Sequence, residues 1–256
     1  MKRLPFLRAT ATAAVLLLGC QPVGAQSVAE LVKHGDVSDL ALHPGKALES
    51  YLAAERLDPK NVDVLLRIAR QYRHLMTDAT SNQEKLRLGE IALAYGRRSA
   101  ALAPNDGEAQ LCQAITYGKM LPFEKKQAQA EAVPLIRKAV DKAIRLDPRN
   151  DTAWHVLGRW HQSLANISGV RRTVGGVLYG TLPKGTHADA LACFTKAIAL
   201  NPNRSRHHIE LGRTYAQMGE LQPARRLIER GLAMPNSEKD DPEIKARGIA
   251  TLAKML

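Results

Sequence analysis

The sequence contains few of the residues that many binding and catalytic proteins depend on. Aromatic residues make up only 4% of the 256 residues, and there are three cysteines. Modules that bind single-stranded nucleic acid stack bases on aromatic side chains, so this composition argues against nucleic acid as a partner. Runs of β-branched residues at strand spacing are also missing. We therefore predict an all-α protein.

The histidines and cysteines form no recognisable catalytic or metal-binding pattern. His155 and His161 are six residues apart, whereas two metal ligands on one helix face are usually four apart. His207 and His208 are adjacent, so they would point apart on a helix. Cys112 has no histidine close in sequence to activate it. We therefore predict no catalytic residue, no cofactor and no metal ion, and the remaining alternative is an enzyme subunit without a recognisable site.

The sequence does contain a repeated pattern around four prolines. The prolines are Pro59, Pro104, Pro148 and Pro202. Two residues before each is a leucine: Leu57, Leu102, Leu146 and Leu200. Small residues lie five residues before each proline at Ala54, Ser99, Ala143 and Ala197. Twelve residues before each are Ala47, Ala92, Ile136 and Ala190. Ten residues after each are Ala69, Ala114, Gly158 and Gly212, and thirteen after are Tyr72, Tyr117, His161 and Tyr215.

This pattern predicts repeated pairs of helices. A proline just past a helix end stops the helix, because its ring lacks an N–H donor and clashes with the preceding turn. Small residues on both helices let the two backbones approach closely, and we expect the tyrosines and leucines to fill the remaining space. The best copy, with Trp154, Gly158, Ala190, Phe194 and Pro202, resembles the tetratricopeptide repeat.

The resemblance implies a helical-hairpin solenoid with insertions. The family unit is about 34 residues, whereas the proline steps here are 45, 44 and 54 residues. We predict one repeat domain over residues 27–256. Its hairpins lie around residues 36–59, 61–104, 106–148, 151–202 and 205–235. The helix predicted at residues 241–256 caps the open end, as solenoids require. Within the third hairpin, Pro134 predicts a kink or a break.

The second half of the chain is similar to a narrower family, the regulator of microtubule dynamics proteins. The residues that carry this similarity lie at 157–160, 180–183, 190–197, 211–215, 232–235 and 238–241. The insertion at residues 162–187 is its most specific part, because ordinary repeats lack it. The resemblance implies the repeat fold and, through the family's name, microtubule association. An exported chain would not meet cytoplasmic tubulin, so we expect the fold to carry over rather than the activity.

The first helices of the hairpins are expected to line a concave face that binds protein segments. One face of these helices carries seven candidate groove residues: Arg70, Arg73, Lys119, His155, Arg159, Arg206 and Arg213. Aliphatic residues lie between them at Leu66, Leu111, Ile115 and Ile209. Arginine presents a planar fork that suits carboxylates. We therefore predict partners with acidic and aliphatic residues, the alternative being a solvated basic face on a chain of net charge +12.

Residues 1–26 are predicted to be a signal peptide. A basic start with Lys2, Arg3 and Arg8 precedes an apolar stretch at 9–18 that is too short to span a membrane as a helix. Two processing routes are open. The small residues up to Ala25 resemble a signal-peptidase site. Residues 17–20, which end in Cys20, resemble a bacterial lipobox. We predict export to the periplasm or lipid anchoring to a bacterial membrane, and contact with a membrane only if Cys20 is lipidated.

The two routes predict different mature chains. We expect the protein recovered from envelope fractions to begin at Gln26 after ordinary cleavage, or at Cys20 with a lipid on its sulfur. Intact-mass measurement of that protein distinguishes the two. A cytoplasmic protein that keeps its Met1-Lys2-Arg3 start would contradict export. That result would favour the alternative in which the leader is an organelle address in a cell that has microtubules.

Overall fold

The computed structural model describes residues 26–167 and 183–255, which consist of α-helices, most of them joined by short turns. Its helices are α1 (Val28–Leu40), α2 (Pro44–Leu57), α3 (Val62–Asp78), α4 (Asn82–Leu102), α5 (Gly107–Met120), α6 (Lys126–Leu146), α7 (Asp151–Ala165), α8 (His187–Leu200), α9 (Ser205–Gln217), α10 (Leu221–Ala233) and α11 (Asp241–Ala253). One 3-10 turn, Leu121–Phe123, joins α5 to α6. Over the described ranges there is no β-strand, which confirms the all-α prediction. None of the described helices combines the length and apolarity needed to cross a membrane.

Over the described residues, the helices pair as five hairpins that stack into a solenoid. The pairs are α1 with α2, α3 with α4, α5 with α6, α7 with α8, and α9 with α10. The first helices α3, α5, α7 and α9 also contact one another in succession, so they lie on the inner side of the stack. Helix α11 packs on α9 and α10, where the first helix of a further repeat would lie. This is the predicted solenoid with a C-terminal capping helix.

The small-residue columns form the contacts between paired helices. All four residues five positions before the prolines are fully buried, and so are Ala47, Ala92 and Ala190 of the next column. The leucine column behaves differently from the prediction. Leu57 is 56% exposed, Leu102 is 41% exposed and Leu146 is 38% exposed, because each is the last residue of its helix, at the edge of the core. The leucines therefore mark where the second helices end and contribute little to the core.

The residue two positions after each proline starts the next first helix. Asn61, Asp106 and Asn150 cap α3, α5 and α7, and each side-chain oxygen accepts a hydrogen bond of 2.9–3.2 Å from the backbone N–H three residues on. Such caps satisfy one of the unpaired N–H groups at a helix start. In the fourth copy Arg204 occupies this position and α9 has no side-chain cap. The Pro-x-Asn/Asp turn thus fixes both helix ends in three of the four copies.

Two sequence-based boundaries need correction. The first helix begins at Val28 and not near Asp36, because Ser27 and Glu30 form a capping box that starts the helix earlier. Helix α6 continues through Pro134, so the proline does not break it. The predicted signal peptide, apart from residue 26, and the lipidation candidate Cys20 lie outside the described residues, as does the larger part of the insertion, residues 168–182.

Gly158 and Gly212 lie where the paired helix leaves no room for a side chain. A Cβ atom at Gly158 would lie 2.8 Å from the Phe194 ring, and one at Gly212 would lie 2.7 Å from Ile228 and 2.8 Å from the carbonyl oxygen of Ala224. Glycine inside a helix costs about 1 kcal/mol relative to alanine. The glycines are retained because close packing of α7 on α8 and of α9 on α10 requires them, as the repeat pattern predicted.

We expect Gly158→Leu to destabilise the protein by roughly 1 to 3 kcal/mol or more, because the new side chain overpacks against Phe194. Urea unfolding followed by circular dichroism measures the change. Gly118→Ala is the matched control. Gly118 is also helical, but its Cβ position faces open space, so this variant should be neutral or slightly stabilised. Equal stability of Gly158→Leu and the wild-type protein would show that the register of this hairpin is wrong.

Candidate functional site

The concave face carries two cavities. The first, which we call the N-terminal pocket, has a volume of about 460 Å³ and lies against α1, α3 and α5. The second, the central groove, has a volume of about 580 Å³. It is bounded by the C-terminal end of α3, the start of α4, α5, the 3-10 turn, α6, α7, the start of α9, and α11 with the residue just before it. The first helices thus supply most of the concave surface.

The structure divides the predicted basic residues between these cavities. Arg70 and Arg73 line the N-terminal pocket. Lys119, His155, Arg159 and Arg206 line the central groove. Arg213, on α9, lines neither cavity and donates to Glu210 at 2.9 Å. The cations that were expected to form one row are therefore divided between two neighbouring cavities, and Arg213 lies outside both.

The apolar residues predicted between the cations separate in the same way. Leu66 lines the N-terminal pocket, and Ile115 lines both cavities. Leu111 and Ile209 are fully buried in the core. The prediction that Leu111 and Ile209 face the groove is wrong, because these positions point between the helices of a hairpin. The apolar wall of the groove is instead formed largely by residues beyond the repeat columns.

Aromatic and aliphatic residues form this apolar wall. Phe123 lies in the 3-10 turn, and the Lys85 ammonium lies 4.8 Å from the centre of its ring, which is a cation–π distance. Trp160 is 6% exposed, and its indole N–H donates to the carbonyl oxygen of Val133 at 3.0 Å. That bond holds α7 against α6. Two of the chain's few aromatic residues therefore line the groove.

The predicted cations are mostly paired within the protein. Arg70 lies 3.5 Å from Asp39. Arg73 donates to the hydroxyl of Thr116 at 3.3 Å and to the sulfur of Cys112 at 3.2 Å. Their side chains therefore stabilise the inner face before any partner arrives. This corrects the picture of a row of exposed charges.

A buried carboxylate is the electrostatic centre of the C-terminal half. Glu210 is fully buried on α9 and accepts hydrogen bonds from Arg159 at 2.7 Å, Arg213 at 2.7 Å and Arg247 at 3.3 Å. Burial acts to raise the pKa of Glu210, but the three guanidinium groups lower it to about 2. Gln162 donates to the backbone carbonyl of Glu210 at 3.2 Å. One carboxylate thus ties together α7, α9 and α11.

One feature of the sequence pointed to this buried carboxylate. Glu210 is the sole acidic residue of α9, a helix that carries Arg206 and Arg213. An isolated acid among cations on a helix that is otherwise built for packing is a candidate for a buried ion pair, since buried charges are normally paired. Its partner Arg247 could not be found from the repeat, because the fold brings α11 onto α9.

The loop between α10 and α11, residues 234–240, also reaches the groove. Asp240 accepts a hydrogen bond from the Lys119 ammonium at 2.6 Å, across the mouth of the central groove. Glu238 forms an ion pair with Arg206. The side chains of Lys119 and Arg206 are only 16% and 15% exposed. Two of the predicted groove cations therefore already hold carboxylates of the same chain.

Three polar residues form a buried chain at the α7–α9 contact. The two Nδ1 atoms of His155 and His207 are 3.0 Å apart, and Nε2 of His207 lies 2.8 Å from Asp151. Burial, together with the neighbouring His207, lowers the pKa of His155 well below its usual value. Burial also lowers the pKa of His207, although Asp151 opposes this. Both rings are therefore neutral at pH 7, and His155 serves as a helix contact and not as a groove cation.

The cysteines are structural in the described part of the chain. Cys112 and Cys193 are both buried, and neither forms a disulfide in the described part of the chain. Burial raises the pKa of the Cys193 thiol to about 11, so it stays protonated at neutral pH. Within residues 26–167 and 183–255 no cluster of three or more His, Cys, Asp or Glu residues could hold a metal ion.

The family described as Regulator of microtubule dynamics protein 1-3 matches residues 28–256 of the chain. The chain belongs to this family. Regulator of microtubule dynamics protein 1 of Bos taurus is 26% identical over 231 residues, which are 89% of this chain and 73% of that protein. Regulator of microtubule dynamics protein 2 of Mus musculus is 28% identical over 185 residues, which are 72% of this chain and 45% of that protein. The family resemblance inferred from the sequence is confirmed.

The similarity covers only part of some relatives. The chain spans about half the length of the mouse and rat protein 2 relatives, at 45% and 51%. Among solved structures, a thermophilic TPR protein of Thermus thermophilus is similar, with a TM-score of 0.60 and 18% identity. The match covers 89% of this chain and 100% of that chain. At this identity it shows the tetratricopeptide-like fold alone.

We expect Glu210→Gln to destabilise the protein at pH 7, because three arginines lose their shared carboxylate. The cost should be on the order of 2–3 kcal/mol, less than for a fully buried pair because the arginines keep partial contact with water. Since the pKa of Glu210 is about 2 when folded and 4.5 ordinarily, its contribution is complete above pH 4.5. It is lost as the pH falls toward 2. The gap between the two proteins should therefore shrink in that window, as measured by urea unfolding at several pH values.

Glu243→Gln is the matched control, because Glu243 also pairs with Arg247, at 2.7 Å, but its side chain is 55% exposed. Exposed ion pairs contribute about 0–1 kcal/mol. If the two variants lose the same stability, the burial of Glu210 among three arginines contributes no more to stability than an exposed ion pair does.

Proposed function

We propose that the protein is a non-enzymatic scaffold that binds segments of other proteins in the central groove. The observation that carries this proposal is the groove itself: about 580 Å³ on the concave face, with apolar walls and cations at its rim. Helical-repeat solenoids use their concave surface for extended contacts. A segment with alternating apolar and acidic side chains matches this surface.

The residues at the rim are positioned before a partner arrives. Arg159 is held by Glu210 at 2.7 Å, yet its side chain remains 36% exposed. Lys85 is held over the Phe123 ring and also lines the groove. A fixed cation loses less conformational entropy on binding than a free one. Arg159 and Lys85 therefore favour acidic groups at the rim, while Ile115 and Val156 offer aliphatic contact.

Microtubule association is the second candidate. It is supported by the family, whose members are named regulators of microtubule dynamics. It requires a cell that has microtubules and a chain that reaches them. Cosedimentation with polymerised tubulin tests it directly. If a groove variant loses cosedimentation, tubulin binds in the same groove. If the wild-type protein does not cosediment, the microtubule proposal is rejected and the protein-binding scaffold is the remaining proposal.

Export is part of the main proposal. It is supported by the basic and apolar pattern of residues 1–26, which is typical of a signal peptide. We propose a periplasmic location after cleavage at Ala25, with lipid anchoring through Cys20 as the alternative. In either case the partners are envelope proteins. An enzyme subunit is the least supported function, because neither the sequence nor the family provides a reacting group.

We expect Gly118→Trp to abolish partner binding without loss of stability. Gly118 is exposed on α5 and lines the central groove, and a Cβ atom there would have no atom within 4 Å. The indole would fill the groove, while replacing a helical glycine does not weaken the helix. Gly45→Trp is the matched control, since Gly45 is an exposed helical glycine with equal space that lies outside both cavities. Quantitative affinity capture from envelope extract compares the three proteins.

The outcome is read from the difference between the two variants. Partners that Gly45→Trp retains and Gly118→Trp loses bind in the groove. If Gly118→Trp retains the same partners, the groove is not the binding site. Charge reversal at Arg159 and Arg213 is a poorer test, because both arginines hold Glu210 and their loss would unfold the site.

A further inference from the structure

The loop between α10 and α11 contacts helices that are distant in sequence. The Asp240 carboxylate accepts hydrogen bonds from the Lys119 ammonium at 2.6 Å and from the Thr77 hydroxyl at 2.7 Å. Lys239 forms an ion pair of 2.8 Å with Asp78 at the end of α3. The loop therefore spans the mouth of the central groove, from the last hairpin to the second and third.

The two acids of this loop occupy groove cations. Glu238 pairs with Arg206 and lies 3.4 Å from Arg204, while Asp240 pairs with Lys119. Lys119 and Arg206 line the central groove together with Asp240. Charge-assisted hydrogen bonds of this kind are the strong ones. The groove thus already binds two carboxylates, placed two residues apart in one chain segment.

The backbone of the loop is held by a different residue. Asp241 is buried and accepts hydrogen bonds from the backbone N–H groups of Ser237 at 2.7 Å and Glu238 at 2.9 Å. It also accepts one from the Ser205 hydroxyl at 2.8 Å. Ile244 and Gly248 pack the following helix against the last hairpin. The side chains of Glu238 and Asp240 can therefore leave the cations while the loop and α11 stay in place.

We propose that Glu238 and Asp240 are internal ligands of the central groove, and that its external ligand is an acidic protein segment with two carboxylates similarly spaced. This inference rests on the proposed function and specifies its partner. The external segment displaces Glu238 and Asp240 from Arg206 and Lys119. The internal carboxylates reduce the fraction of grooves that is free, so they weaken external binding by the inverse of that fraction.

The test uses the full chain and a labelled peptide with the sequence of residues 234–241. The double variant Glu238→Gln with Asp240→Asn removes the internal charges but keeps the Asp241 anchor. If about a tenth of wild-type grooves are free, the variant binds the peptide about tenfold more tightly. A peptide with Gln and Asn in place of the two acids should bind neither protein. Fluorescence anisotropy at fixed ionic strength measures both.

Two controls keep the result specific. Glu90→Gln with Glu229→Gln changes the net charge equally at exposed positions on second helices and should bind the peptide as the wild type does. The single variant Glu238→Gln leaves the pair of Lys119 and Asp240 intact, and should show a smaller gain. If the double variant does not fold, the affinity of the single variant for the acidic peptide tests the proposal instead.

The inference is overturned if the variants bind the acidic peptide no better than the wild type, or if the neutral peptide binds equally well. Absence of binding to every protein also overturns it. These failures are distinct from failure of the proposed function. If Gly118→Trp abolishes partner capture, the groove is the binding site even when the acidic peptide does not bind.

Discussion

Each hairpin in this protein brings two helix backbones closer together than two ordinary side chains allow. Buried alanine and serine contribute to this contact along the stack, and glycine does so on α1, α7 and α9, where Tyr51, Phe194 and Ile228 pack against the bare backbone. Because the contact recurs at a fixed phase relative to the prolines, successive hairpins stack with their first helices inward. The concave face, and therefore the groove, is a consequence of this close packing.

The excess of positive charge is accommodated by placing a few acids where several cations meet. Glu210 serves three arginines, and Asp240 serves Lys119 across the groove mouth. These contacts join the capping helix to α7 and α5, so they close the C-terminal end of the solenoid. A buried carboxylate shared among guanidinium groups is stable only because each lone pair finds a donor. The same contacts determine which cations remain available at the rim.

The groove differs from the basic surface that composition alone suggests. Its walls are largely apolar and include two of the chain's few aromatic residues, and its exposed cations are held in fixed positions. Under the proposed function, such a surface favours segments that combine acids with aliphatic side chains. Family membership is consistent with a protein-binding role, and the loop before α11 shows how a carboxylate is received at Lys119.

The sequence by itself determined the fold. Helix ends at Leu57, Leu102, Leu146 and Leu200, buried small residues and the packing glycines all follow from local rules: proline stops a helix, and a fixed column of small residues marks a close contact. Those rules act between residues that are near in sequence or share a repeat phase. The early start of α1 is also local, since the Ser27 and Glu30 capping box is legible in the sequence.

Only the tertiary structure decided the site. The periodicity that placed Arg159, Arg206 and Lys119 on one face carries no information about Glu210, Glu238 or Asp240, which reach them from another hairpin or from outside the repeat. The separation of Arg70 and Arg73 into their own pocket likewise depends on how the hairpins stack. Ion pairs are set by distances of a few ångströms between residues that are distant in the sequence, 121 positions apart for Lys119 and Asp240. Residues so distant in the sequence come within these distances only after the hairpins have stacked and α11 has packed on them.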